Sequence, residues 1–108
     1  MHLLLDAKII DADTLANNLH NWLTNAPERI GMTRISPVIV EYNAQSILGI
    51  VLLAESHISI HADLKDQIAY VDFYTCKELN IDTTVALIKE IGLEQSKMTV
   101  LQRGLEYL

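Results

Sequence analysis

Between residues 54 and 61 the chain reads Ala-Glu-Ser-His-Ile-Ser-Ile-His. This places the hydroxyls of Ser56 and Ser59, the imidazoles of His57 and His61 and the carboxylate of Glu55 on one short stretch. A hydroxyl beside a base is the minimal equipment for an activated nucleophile. In a regular strand, side chains alternate between faces. His57, Ser59 and His61 would then share one side, and Ser56, Ile58 and Ile60 the other. Ser56 therefore reacts only if the backbone kinks or a partner arrives from elsewhere in the fold. The chain's single thiol, Cys76, closes a second chemical stretch, Val71-Asp72-Phe73-Tyr74-Thr75-Cys76.

The elements that must position these groups follow from the patterning. Residues 2–10 are strongly apolar and predict a first strand. Asp11 or Asp13 is placed to cap a helix in which Leu15, Leu19, Trp22 and Leu23 recur at helical spacing, with Asn17, Asn18 and Asn21 on the wet side. Asn25-Ala26-Pro27 is expected to stop that helix, and Gly31 to mark a turn. Residues 32–42 read as a second strand interrupted by Pro37, which cannot donate to a ladder. Asn43-Ala44-Gln45 is a hairpin turn. Strands are predicted at 47–54, 57–62 and 68–76, forming an antiparallel meander. Asp82 is expected to cap a second helix whose Val85, Ile88 and Ile91 form the apolar stripe and which Gly92 ends. Residues 97–103 give a last strand. The order βαββββαβ has too few helices to cover both sheet faces. It points to an α+β fold, a two-layer sandwich with two helices on one face of an antiparallel sheet.

Composition narrows the function classes. The 108 residues are enough for one core, so 1–108 is read as a single domain. Half the residues are hydrophobic and a fifth are charged, which excludes a disordered chain. No apolar run approaches the roughly 20 residues that a membrane-spanning helix needs. The formal net charge of -6 and the lack of a Lys/Arg cluster argue against nucleic acid as a partner. One cysteine rules out an internal disulfide framework and suits a reducing compartment, so a cytoplasmic protein is expected. Among His57, His61 and Cys76 no close ligand pair sits on a helix face or a knuckle, and no metal site is expected.

The Glu55-Ser56-His57-Ile58-Ser59-Ile60-His61 block, followed by Asp72-Phe73-Tyr74-Thr75-Cys76, resembles the small prokaryotic S-adenosylmethionine decarboxylases, pyruvoyl-dependent enzymes of polyamine and spermidine synthesis. The similarity reaches more loosely to His2-Leu3-Leu4, Gly49 and Arg103-Gly104. The resemblance implies that Ser56 attacks the carbonyl of Glu55 and that the chain cuts itself between the two. Ser56 then becomes the pyruvoyl cofactor at the head of the 56–108 fragment. It also implies that the substrate amine forms a Schiff base there before carbon dioxide leaves. By the same resemblance His61 assists the processing elimination and Cys76 returns a proton to the substrate carbon. Tyr42 stands where a phenylalanine stacks on adenine, Glu55 lies at the substrate, and the protomers form a homodimer.

Three positions depart from the family pattern. Lys65, within Ala62-Asp63-Leu64-Lys65, replaces a ribose-binding glutamate. Leu48 stands where a serine assists processing, the nearest serine being Ser46. Lys77 replaces the glycine after the cysteine. Three functions remain open: an S-adenosylmethionine decarboxylase, the same chemistry on a basic amino acid such as arginine or ornithine, or an unprocessed homologue that acts as partner or regulator.

Overall fold

The computed structural model describes residues 1–102. Its elements are β1 (His2–Ile9), α1 (Ala12–Arg29), β2 (Ile39–Tyr42), β3 (Ser46–Leu53), β4 (Ser56–Asp63), β5 (Ile68–Tyr74), α2 (Ile81–Lys89) and β6 (Leu93–Leu101). The strands form one antiparallel sheet in the order β2-β3-β4-β5-β1-β6. The meander of β2 to β5 is thus extended by β1, which inserts between β5 and β6. This is the α+β two-layer arrangement that the element order predicts.

The two faces of the sheet differ chemically. Leu3, Leu5, Ala7, Ile47, Val51, Leu53, Ile58, Ile60, Val71 and Phe73 alternate onto the inner face and are all buried. Both helices pack there. α1 lays Leu19 and Leu23 over Gly49, where an added Cβ would sit 2.8 Å from Leu23 Cδ1. Trp22 reaches across α1, packs edge-on to Phe73 at 6.3 Å, and donates its indole N–H to the Leu87 carbonyl of α2 at 2.9 Å. One aromatic side chain therefore ties both helices to the sheet. The outer face carries no helix among the described residues. It presents Ile50, Leu52 and Tyr70, each more than a third exposed, beside His57, Ser59, His61 and Asp72.

Several boundaries differ from the sequence-based expectation. Pro27 does not stop α1. It lies in the last turn, and the helix runs to Arg29 before ending in a Schellman motif: Gly31, at φ 74°, donates to Glu28 O, and Met32 donates to Pro27 O. A proline so near the C-terminus forfeits one intrahelical bond, which the buried apolar stripe outweighs. The second strand is only Ile39–Tyr42, because the segment around Pro37 leaves the ladder. Arg34 makes an isolated bridge to Leu53 instead. Asn80, rather than Asp82, caps α2 by accepting from Thr83 N at 2.9 Å. The buried stripe of that helix is Thr84, Leu87 and Ile88, followed by Ile91, with Val85 only half-buried. β6 begins at Leu93, four residues earlier than expected, and takes a register shift opposite Asp6/Ala7. Arg103 and Gly104 lie outside the described residues.

Candidate active site

The hairpin between β3 and β4 turns on two residues, since Leu53 pairs with Ser56 and leaves Ala54 and Glu55 as the loop. Glu55 sits at φ 63°, in the left-handed region that costs a non-glycine residue roughly 1–2 kcal/mol. Ser56 is the first residue of β4, and its side chain turns to the inner face, where it is 8% exposed. There its Oγ accepts the backbone N–H of Cys76 at 3.0 Å. A strand-initial serine next to a strained residue thus has its hydroxyl fixed by a main-chain donor. The segment that brings this donor leaves β5 at Tyr74, and the Thr75 N–H donates to Met1 O at 2.9 Å. The Cys76 thiol is exposed.

His61 lies elsewhere. It is five positions along β4, about 17 Å at the rise of a strand, and it points to the outer face. Its ring meets Tyr70 edge-on at 6.4 Å. Two turns flank it. Asn43 Oδ1 accepts the amides of Gln45 and Ser46, Asp63 Oδ1 accepts those of Lys65 and Asp66, and Leu64 N joins the two turns by donating to Gln45 O at 2.9 Å. Between them opens a cavity of about 370 Å³ lined by Asn43, Gln45, Ser46, His61, Asp63 and Lys65. Leu48 pairs directly with His61 across the ladder.

His57 shares the outer face with His61 but lies at the Ser56 end of the strand. Its ring stacks on Tyr74 at 5.6 Å and 23°, and His2 meets the same Tyr74 edge-on at 5.6 Å. Asp72 stands 3.7 Å from His2. Tyr42 is opposite Ile47 and so belongs to the inner, helix-bearing side. It is half exposed, and its hydroxyl donates to Ala16 O of α1 at 3.0 Å.

Within one chain the structure therefore joins Glu55, Ser56 and Cys76, and leaves His61 and Tyr42 apart from them. A model of the S-adenosylmethionine decarboxylase family matches residues 1–104. The chain belongs to that family. It is 37% identical over 78 residues to the S-adenosylmethionine decarboxylase proenzyme of Aquifex aeolicus, an alignment covering 70% of this chain and 58% of that protein. It is 31% identical over 87 residues to the proenzyme of Prochlorococcus marinus, covering 79% and 70%. The match to the proenzyme of a Sulfurihydrogenibium species is 27% over 108 residues, covering 96% and 81%. The chain thus spans little more than half of the Aquifex relative. The family is one of carboxy-lyases. No helix among the described residues of this family member is long and apolar enough to cross a membrane, and none of them form a cluster of three or more metal-ligating side chains.

Sequence reasoning placed Ser56 and Cys76 in one site through the resemblance. It did not foresee that the backbone N–H of Cys76, and not its thiol, meets the serine. No side-chain pattern encodes that contact, because it depends on where the chain leaves β5.

Proposed function

We propose that this chain is a self-processing, pyruvoyl-dependent decarboxylase that cleaves itself between Glu55 and Ser56. The observation that carries this reading is the hydroxyl of Ser56, held at 3.0 Å by the Cys76 N–H immediately after the left-handed Glu55. In the cleavage step Ser56 Oγ bonds to the Glu55 carbonyl carbon, the peptide C–N bond breaks, and the freed amine takes the hydroxyl proton. Loss of the Ser56 α-proton then expels the Glu55 carboxylate, and water replaces the nitrogen, which leaves as ammonia. Ser56 supplies every carbon of the resulting pyruvoyl group. Breaking the bond also releases the backbone strain at Glu55. Once formed, the ketone supplies an electron sink for loss of carbon dioxide from an α-amino acid substrate. The exposed Cys76 thiol is the general acid that returns a proton to the substrate carbon.

His61 cannot serve the Ser56 of its own chain across about 17 Å. A homodimer that pairs the outer faces about an axis perpendicular to the strands runs the two β4 strands antiparallel. It lays the His61 end of one protomer over the Ser56 end of its partner. That pairing also covers Ile50, Leu52 and Tyr70, which are otherwise exposed. His61 then reaches the partner's Ser56 from the outer side of the backbone, opposite the hydroxyl, where it acts on the α-proton lost in the processing elimination, and Leu48 and Lys65 arrive with it.

The substrate is S-adenosylmethionine, in line with the proenzymes that the chain matches. The presence of Lys65 in the His61 cavity favours a second reading. An ammonium cannot accept ribose hydroxyls as a carboxylate does, and the same chemistry on arginine or ornithine avoids that demand. Reduction with cyanoborohydride in the presence of each substrate should attach the accepted one to the 56–108 fragment. If none of the three is attached and none releases carbon dioxide, the chain is instead the unprocessed or regulatory homologue.

A further inference from the structure

Ser56 depends on a donor that lies in no strand or helix, so whatever fixes residues 75–80 fixes the hydroxyl. The Thr75 hydroxyl donates to the Lys77 carbonyl and tightens the bend after Cys76. Leu79 is buried, and Asn80 begins α2. From this bend Lys77 reaches across to the other side of the site. Its ammonium donates to the Gly31 carbonyl at 2.7 Å, a contact spanning 46 residues of sequence.

Both partners suit this contact. Gly31 is the left-handed residue closing the Schellman motif of α1, and its carbonyl lies just beyond a helix C-terminus, where the macrodipole favours a cation. An added Cβ on Gly31 would meet Lys77 Nζ at 2.7 Å. The α1–β2 connection is thus shaped to receive this ammonium, and it carries the anchor to the Cys76 segment.

We propose that Lys77 is a positioning residue: by clamping the Cys76 segment to the end of α1 it holds the Cys76 N–H on Ser56 Oγ and thereby sets the rate of chain cleavage. The inference rests on the self-processing reading and adds to it a residue that touches neither the scissile bond nor the substrate. A hydroxyl misplaced by about 1 Å loses on the order of 100-fold in rate.

The test compares Lys77→Met, Lys77→Gln and Lys77→Arg with the unaltered chain. Cleavage is followed by intact mass after refolding, and thermal melting is recorded in the Ser56→Ala background, where every chain stays whole. Slowing of roughly 10–100-fold in Lys77→Met, recovery to within a few-fold in Lys77→Arg, and unchanged melting support the clamp. Should Lys77→Met fail to fold, Lys77→Gln takes its place, since it keeps a donor but loses the charge and part of the reach. Cleavage at the unaltered rate in the Met and Gln variants, or slowing that merely follows a fall in melting temperature, overturns the proposal. If the unaltered chain never cleaves, the self-processing reading fails by itself. The clamp is then judged on amide exchange of Cys76 in the whole chain. Exchange at least about 10-fold faster in Lys77→Met sustains it, and equal exchange overturns it.

Discussion

The two ends of β4 solve different problems. At the first, Ser56 turns inward, is nearly buried, and is held by a single main-chain N–H from an irregular segment beside a strained residue. At the second, His61 turns outward into an open polar cavity between two turns, each closed by its own Asx side chain. One end holds the hydroxyl that the proposed cleavage needs, and the other holds an imidazole about 17 Å away on the opposite face. In a strand of period two, residues five apart fall on opposite faces. The Ser56-to-His61 spacing that marks the family in sequence therefore separates the two groups in a single protomer. If His61 serves the proposed cleavage, it does so from a second copy, because about 17 Å separates the two in one chain.

Substitution of Cys76 should have the greatest consequence. Cys76→Ala should keep its backbone donor to Ser56 and so still cleave, while turnover falls by about 10²–10⁴-fold, the usual loss for a positioned acid. In that variant the proton can instead reach the former ketone carbon; water then releases the decarboxylated substrate as an aldehyde, its nitrogen stays behind, and the head of the fragment becomes alanine. The mass of the 56–108 fragment before and after substrate reveals this. Turnover at the unaltered rate would reduce Cys76 to a structural thiol.

Next in size is His61. His61→Ala should slow cleavage by about 100-fold or more when alone. Mixed with Ser56→Ala chains it should recover, since a mixed dimer pairs an intact Ser56 with an intact His61. Light scattering should give a dimer mass. A monomer at micromolar concentration, or no recovery on mixing, would show that His61 does not act across an interface.

The fold itself was largely legible, because burial on one face of a meander writes period two into residues 47–74, and the stripe Leu15, Leu19, Trp22 and Leu23 writes a helix. The ends were less so. Pro27 read as a stop, yet burial of Trp22, Leu23 and Ala26 carries α1 past it. Asp82 read as a cap, but Asn80 has the extended backbone that lets its side chain turn onto Thr83. The site was legible only through the family resemblance, which set Ser56 and Cys76 together, and the structure brings the Cys76 N–H to the Ser56 hydroxyl. That Tyr42 faces α1 and not the outer sheet face follows from its pairing with Ile47, a register that sequence does not state.

Smaller effects separate scaffold from site. Gly49→Ala should cost about 1–3 kcal/mol by crowding Leu19 and Leu23. Asn80→Ala should cost about 1 kcal/mol through loss of the α2 cap. Both are readable by urea denaturation and should leave cleavage intact in whatever fraction folds. The smallest effect belongs to the surface pair Arg29–Glu90, bonded at 2.5 and 2.6 Å. The hydrogen bonds from Arg29 hold the Glu90 carboxyl below its ordinary value. Its contribution is therefore present above the ordinary carboxylate pKa and is lost as pH falls through the lowered one. Glu90→Gln should flatten the acid side of the melting profile slightly and leave neutral pH nearly unaffected, because exposed pairs are screened.

The most direct measurement is a time course of intact mass on freshly refolded protein, beside Ser56→Ala. The 12.1 kDa chain should give way to two fragments divided between Glu55 and Ser56, the second beginning with a ketone that reacts with hydrazine, while Ser56→Ala stays whole. A chain that remains at full mass on prolonged incubation, or one that divides at any other bond, would contradict the proposed cleavage.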